Sequence, residues 1–532
     1  MQPLSRRWLQ PLGLYVVALM AGAIAAAQVA FPPTEVSAYV VGVARNLVEG
    51  HGFVSDALWS YAAGPLTVPR PAFDLWQPLP GFLAAAGMLV LGPSLTAAQA
   101  ATALLAASVA PMTWAVASDA AARNGIEGRR ATTVAVGAGL VAAVFGPFLL
   151  AIAGPDSTAP FTVFAVAACL AMPRAMPGGR GAGLGLGLLL GLAYLSRQEA
   201  IWLGVAYLIL LLGATEPGRR WSGAWRGLRW PVLGGLVLAL PWIVRNALTF
   251  EGGGTLRQTL ENAAFTRSEQ VFAFAERPTL AAYLADGPGV VLARVAEGLR
   301  HDLVDVLLVP AAPAGIVGLV VLVVLWRSPA VRQPSPLRAL VVAGLLTFLV
   351  TSVVFPVATQ SGTYQHAAGP TLVALIVLAM LGLDALVAWV GRRRQWSREN
   401  AWLAPLAMLV LVLPLAILFV RLTAAGSERE MARQAIVVGA LAGVVPPGDL
   451  VITDHPMWVA EAADVRTAAL PDEPVAPVAD LADRLGARWL LVLDERGDYP
   501  DGLLANPSPC LEAVPFEAAG AHLWRIDLGC RP

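Results

Sequence analysis

The chain has 532 residues, of which 57% are hydrophobic and only 14% charged. Soluble domains run about 45–50% apolar and about 25% charged, so composition excludes an ordinary soluble protein and indicates a polytopic α-helical membrane protein. The 36 basic residues balance the 36 acidic ones, and all of the basic ones are arginine; without lysine there is no Schiff base and no lysine general base.

About 20 apolar residues in a helix span a bilayer. Windows of this kind lie at 12–31, 94–117, 131–153, 158–173, 181–196, 200–214, 229–247, 305–326, 338–356, 370–390 and 402–421. The first lacks a clear signal-cleavage site ahead of a soluble domain and reads as a retained anchor. The shorter stretch 78–92, bounded by Pro78, Pro80 and Gly92-Pro93, reads as a peripheral or re-entrant helix.

Between these windows the arginines collect in short loops: Arg6 and Arg7, Arg123 to Arg130, Arg174 and Arg180, Arg219 to Arg229, Arg327 to Arg338, and Arg392 to Arg398. Basic loops stay cytoplasmic. About eleven crossings then put the N-terminus inside and the C-terminus outside a bacterial plasma membrane. The outer face receives the first loop (32–93), the turn "GPDSTAP" (154–160), the loop 248–304 and everything after about residue 424.

The stretch "FPPTEVSAYVVGVARNLVEGHGF" (31–53) follows the first span. Val36, Val40, Val43 and Leu47 recur at helical spacing, and Arg45 and Glu49 fall one turn apart on another face. Such an amphipathic helix lies along a membrane surface and would hold Glu35 at the mouth of a cavity between spans.

The tail, 425–532, reads as a small α/β domain. Its strand-like stretches are "GDLVITD", "VRTAAL", "ARWLLVLDE", "CLEAVPF" and "HLWRIDL", with helices at "HPMWVAEAAD" and "PVADLADRLG". Asp454 and His455 fall at a strand-to-helix turn. Cys169 lies inside an apolar run as core filler. Cys510 and Cys530 flank the last two strands and can pair if the tail is outside the cytoplasm. No Cys/His metal spacing occurs.

At Glu35 the sequence resembles the GT-C superfamily of membrane glycosyltransferases, in the branch of protein O-mannosyltransferases and lipid A aminoarabinose transferases. In "TEVSAY" Glu35 precedes Tyr39 by four residues at the usual catalytic aspartate position, and "EGHGF" ends the helix as in that family. Glu replaces Asp here, and the neighbouring position is not acidic. "PRPAFDLWQPLPGFLAA" (69–85), "AGPDSTAPFTVF" (153–164), "GLAYLSRQEAIWL" (191–203), "LPWIVRNALTF" (240–250) and "GTYQHAAGP" (362–370) follow in the family's order.

The resemblance implies transfer of a sugar from a polyprenyl-phosphate donor to an acceptor hydroxyl at the outer face. The acceptor is a protein, glycan or lipid, and no nucleic acid is involved. Such a reaction needs a carboxylate base and fixed cations for the departing phosphate, a task that suits arginine. Glu35 and Asp156 are the implied catalytic acids. Arg245, Arg197, Arg45 and Arg70 are the implied phosphate ligands, and Tyr39, His51 and His366 the implied contacts to sugar or acceptor. A divalent metal is possible, but the two acids alone do not define a site for it. Two other readings stay open: a carrier that moves a lipid-linked saccharide unchanged, and an inactive relative that binds lipid or scaffolds the envelope.

Overall fold

The computed structural model of the chain describes residues 8–215, 220–251, 254–396, 400–471, 473, 475–493, 508–516, 518 and 520–530. Among them, eight helices are long and apolar enough to cross a membrane: Leu9–Ala26, Leu95–Arg123, Gly128–Ala153, Thr158–Ala175, Trp221–Thr249, Pro336–Val354, Gly369–Arg393 and Leu403–Leu441. Three shorter apolar helices, Arg180–Ser196, Gln198–Ala214 and Ala314–Leu325, occupy the other expected windows. Leu79–Leu91 is helical as well, and Gly92 (φ 88°) folds it back against Leu95–Ala106.

Where helix ends depart from the apolar windows, local chemistry accounts for it. The helix expected at 229–247 begins nine residues earlier, at Arg220. At the start of the expected window the guanidiniums of Arg229 and Arg180 both lie 5.3 Å from the Trp230 ring, which ties this helix to Arg180–Ser196. The window 305–326 is broken: residues Asp302–Leu308 wind as a π-helix, and regular helix resumes only at Ala314. Pro310 and Pro313 lack the N–H that would carry an α-helix through.

Small residues let the spans approach closely, as is usual where lipid supplies no hydrophobic drive between helices. A Cβ at Gly234 would lie 2.6 Å from the Leu184 carbonyl oxygen, and one at Gly187 would lie 2.8 Å from the Gly234 Cα. Helices Arg180–Ser196 and Arg220–Thr249 therefore meet backbone to backbone.

Pro32-Pro33 ends the first span, and Thr34 then caps the helix Glu35–Val48 through its Oγ1, which accepts from Ser37 N–H at 3.1 Å. Of the apolar face read from sequence, Val40 and Val43 are buried while Val36 and Leu47 are only half-buried. Ser37, Ala38, Tyr39, Val41 and Ala44 are buried as well, because the helix is packed between Leu79–Leu91 and Pro456–Ala462 and does not lie with one face free along a membrane surface.

Leu403–Leu441 is one continuous helix of 39 residues. It runs from the helical bundle through residue 424 to the base of a six-stranded sheet, where Val437 and Leu441 pack on Val451, Val459 and Leu491. The sheet comprises β2 (Ala57–Leu58), β4 (Leu450–Thr453), β5 (Arg466–Ala469), β6 (Trp489–Val492), β7 (Leu511–Val514) and β8 (His522–Ile526), in the order β2-β5-β4-β6-β8-β7. All five strands expected in the tail are present. The first loop contributes β2 as an edge strand, parallel to β5 with Ala57 beside Thr467. A separate ribbon pairs β1 (Val54–Ser55) with β3 (Arg70–Pro71). Cys510 and Cys530 form a disulfide that joins the start of β7 to the chain beyond β8, and Cys169 is free and buried.

Candidate active site

The turn "GPDSTAP" brings Asp156 to the end of the helices that carries the sheet. Its Oδ1 accepts from Thr158 N–H at 2.7 Å, the local bond by which aspartate closes a turn. Its Oδ2 lies 2.9 Å from His366 Nδ1, and Thr158 Oγ1 lies 2.9 Å from the same nitrogen. Burial alone would raise the Asp156 pKa. The His366 charge, with hydrogen bonds from His366 and Thr158, outweighs this and holds it below the ordinary carboxylate value.

Arg197 braces the pair from behind. It grips Glu199 with two bonds (Nη2–Oε1 2.6 Å, Nε–Oε2 3.1 Å), donates through Nη1 to Ser157 Oγ at 2.9 Å, and through Nη2 to the Thr363 carbonyl at 3.2 Å. The turn holding Asp156 and the short helix holding His366 are thus tied to one guanidinium. The paired Glu199 also explains how an arginine is tolerated inside an apolar stretch. Asp156 and His366 open onto a cavity of about 390 Å³ whose wall includes Thr34, Ser37, Asp305 and Gln365.

Glu35 stands at the edge of this cavity and faces elsewhere. Its Oε1 lies 2.9 Å from His455 Nδ1, and its Oε2 accepts from Met457 N–H at 3.2 Å. The first turn of helix Glu35–Val48 is therefore fastened to the helix Pro456–Ala462 of the tail. Trp458 adds to the joint: its indole N–H donates to the Pro32 carbonyl at 3.0 Å, and its ring lies against His455. A Cβ at Gly154 would come within 2.8 Å of Pro33 Cγ and 3.0 Å of Ser37 Oγ, so the Glu35 segment and the Asp156 turn touch. The site holds two carboxylate–histidine pairs, of which Asp156–His366 lines the cavity. His455 does sit at the strand-to-helix turn expected for it. Its pairing lies 420 residues away along the chain, and no local signal announces that.

The remaining candidates divide into two groups. Tyr39, Arg45 and His51 line a separate polar cleft of about 650 Å³ between helices Glu35–Val48 and Pro456–Ala462. The Tyr39 hydroxyl accepts from Phe73 N–H at 2.6 Å, and burial pushes its phenol pKa up. Arg45 pairs with Glu461 at 2.5 Å. His51 is largely exposed, with Nδ1 3.3 Å from Asn46 Oδ1.

Arg70 and Arg245 make up the other group, flanking the Phe250 ring at 5.6 and 5.1 Å. Arg70 is buried, and it donates to the Ala63 and Pro65 carbonyls, each at 2.7 Å, and to Asp74 at 2.8 Å. Its fork holds the first loop together. Arg245 donates through Nη1 to the Ala72 carbonyl and to Asn246 Oδ1, at 2.9 and 2.8 Å. Among the described residues its Nε and Nη2 make no hydrogen bond. No group of three or more His, Cys, Asp or Glu side chains converges as a metal site among the described residues.

The family model of the dolichyl-phosphate-mannose-protein mannosyltransferases matches residues 70–247, a segment that includes Asp156, Arg197 and Arg245. Two crystal structures of ArnT from Cupriavidus metallidurans superpose along nearly the full length. The form bound to undecaprenyl phosphate gives a TM-score of 0.53 at 14% identity, over 97% of each chain. The apo form gives 0.54 at 14% identity, over 99% of this chain and 100% of that one. The chain has the ArnT fold. It is a multi-pass helical membrane domain with a small sheet at its C-terminal end, as expected from the apolar windows and the tail. The oligosaccharyltransferase AglB from Archaeoglobus fulgidus, in complex with an inhibitory peptide and a dolichol-phosphate, aligns at TM-score 0.49 and 12% identity, over 91% of this chain and 69% of its own. No curated protein sequence gives a significant match.

Proposed function

We propose that the protein is a membrane glycosyltransferase that moves a sugar from a polyprenyl-phosphate donor onto an acceptor hydroxyl, at the membrane face that carries the sheet. We take that face to be extracytoplasmic, because the arginine-rich loops gather at the other ends of the helices. The observation that carries the reading is the Asp156–His366 pair, 2.9 Å apart on the wall of a cavity where the helix ends open. A carboxylate held ionised beside a histidine can take the proton that the acceptor hydroxyl loses as it attacks the anomeric carbon. The bond from that carbon to the phosphate oxygen breaks, and the negative charge passes to the leaving polyprenyl phosphate.

Support for a lipid-phosphate donor comes from the fold, since ArnT has been crystallised with undecaprenyl phosphate. Arg245, with Nε and Nη2 of its fork uncommitted among the described residues, suits the departing phosphate. Arg197 acts in this reading as a positioning residue, because its donors already hold the Asp156 turn.

A second reading puts the base at Glu35. Its flanking residues Thr34 and Ser37 lie on the cavity wall, and release from His455 would free its carboxylate to turn there. The test is sugar release from a panel of radiolabelled polyprenyl-phosphate monosaccharides by the wild type, Asp156→Asn and Glu35→Gln. A loss confined to Asp156→Asn supports the first reading, and one confined to Glu35→Gln supports the second. No turnover by the wild type on any donor refutes the enzyme.

A further inference from the structure

At the end of the bundle opposite the sheet, a pocket of about 440 Å³ opens between three spans. The first turn of Gly128–Ala153, the last turns of Gly369–Arg393 and the residues just before Leu403–Leu441 form its walls. Asp384 lies deepest, buried in its span, and Arg130 grips it from the facing helix through Nε at 3.2 Å and Nη2 at 2.5 Å. A carboxylate inside a span is costly unless it is paired. Here the pairing is bidentate, so Asp384 and Arg130 cancel in charge.

Arg392 follows two turns later, about 12 Å nearer the helix end at 1.5 Å per residue. It is exposed on the pocket rim, and among the described residues its side chain makes no hydrogen bond or ion pair. The rim itself is shaped by the chain reversal after the helix. Gln395 adopts a positive φ of 52°, and Trp396 N–H then donates to the Gly391 carbonyl at 3.0 Å. A Cβ at Gly391 would lie 3.0 Å from the Trp396 ring, so the glycine lets the indole fold over the helix end and close one side of the pocket. Trp389, Trp396 and Trp402 are exposed around it, as tryptophans are at the level of lipid headgroups.

The chemistry narrows the ligand. Asp384 is the one acid among the described lining residues, and it is both buried and paired, so a cation finds no partner. Arg392 is left as an uncompensated positive charge, and the fork of a guanidinium suits a phosphate. Both arginines can be reached, since Arg392 is exposed and the Arg130 side chain is 30% exposed. Val387, Ala388 and Trp396 give the same pocket an apolar side. A soluble phosphate leaves that side wet, whereas the glycerol and first methylenes of a lipid fill it. Arg393 and Arg394 follow at once in the chain and disfavour a headgroup that carries its own ammonium.

We propose that this pocket binds the phosphate of an anionic phospholipid from the leaflet opposite the sheet, and that the bound lipid staples the three spans together. The site stands apart from the Asp156–His366 cavity and does not depend on glycosyl transfer.

The test uses the full-length protein in nanodiscs of phosphatidylcholine, with and without phosphatidylglycerol. Native mass spectrometry counts the retained lipid, and melting is followed in the same discs. Phosphatidylglycerol is retained in preference to phosphatidylcholine, and its presence raises the melting temperature. Arg392→Ala lowers that retention about fivefold, the effect of one basic residue on an anionic lipid. Arg393→Ala removes the same charge from a guanidinium that lies instead 4.4 Å from the Trp389 ring, and it leaves retention unchanged.

Equal retention of the two lipids would overturn the inference. So would equal losses in the two variants, which would reduce the effect to general attraction by a basic surface. Inorganic phosphate added to phosphatidylcholine discs separates the two sources of a phosphate group. If it raises the melting temperature of the wild type but not of Arg392→Ala, and displaces phosphatidylglycerol, the ligand is a soluble phosphate and the lipid assignment falls.

Discussion

Replacing Asp156 by Asn separates the chemistry of the site from its architecture. The Asx turn survives, because the Asn Oδ1 can still accept the Thr158 N–H that Asp156 holds at 2.7 Å. The change removes the negative charge 2.9 Å from His366 Nδ1, and the amide has no comparable proton affinity. Stability should therefore change little, by about 1 kcal/mol at most for a half-kept local bond. Turnover should fall about 100-fold to 10,000-fold, the range for a lost general base.

The pH dependence carries its own signature. The folded pKa of Asp156 lies below the ordinary carboxylate value, so its ionised form stabilises the fold fully above the unfolded pKa of about 3.9. That contribution is lost as pH falls through the lower folded value. The difference in melting temperature between wild type and variant should shrink as pH falls below about 4. Sugar release from radiolabelled polyprenyl-phosphate donors, with melting followed in the same nanodiscs, measures both. A folded variant whose turnover stays within about threefold of wild type would refute Asp156 as the base, since even weak general-base catalysis contributes more than that.

Removing the imidazole in His455→Ala leaves the buried Glu35 carboxylate with one donor fewer, which should cost about 1–3 kcal/mol. It should also quicken proteolysis of the tail relative to the helical bundle. Glu473 of the tail accepts the backbone N–H groups of Phe274, Ala275 and Glu276 at 2.8, 2.9 and 2.8 Å. Its change to Ala should destabilise that junction by about 3 kcal/mol, read as faster amide exchange at residues 274–276 with exchange in the spans unaltered. Gly234→Ala sets a methyl 2.6 Å from the Leu184 carbonyl oxygen, and this overpacking should lower stability by about 1–3 kcal/mol. The control Gly204→Ala, which meets nothing within 4 Å, should leave the melting temperature unchanged.

Length and period of the apolar pattern were enough to mark the spans, the helix Glu35–Val48 and the five strands of the tail. These follow from local rules: a helix must be apolar over a bilayer's thickness, and a strand must be apolar over a few residues between turn formers. The Asp156 turn was legible for the same reason, since its closing bond to Thr158 lies within two residues.

What the tertiary structure decided is the set of partners. Nothing local in Ala57–Leu58 announces a strand; it becomes one because β5 offers an unpaired edge. Four arginines of equal promise in the sequence separate by what surrounds them. Arg70 is spent on loop carbonyls and Asp74, and Arg197 on Glu199, Ser157 and the Thr363 carbonyl, while Arg45 and Arg245 each bond through a single terminal nitrogen among the described residues. The clearest case is Glu35, whose histidine comes from the far end of the chain. A side chain's chemistry depends on groups a few ångströms away, and in a chain folded back on itself those groups come from any distance along the sequence.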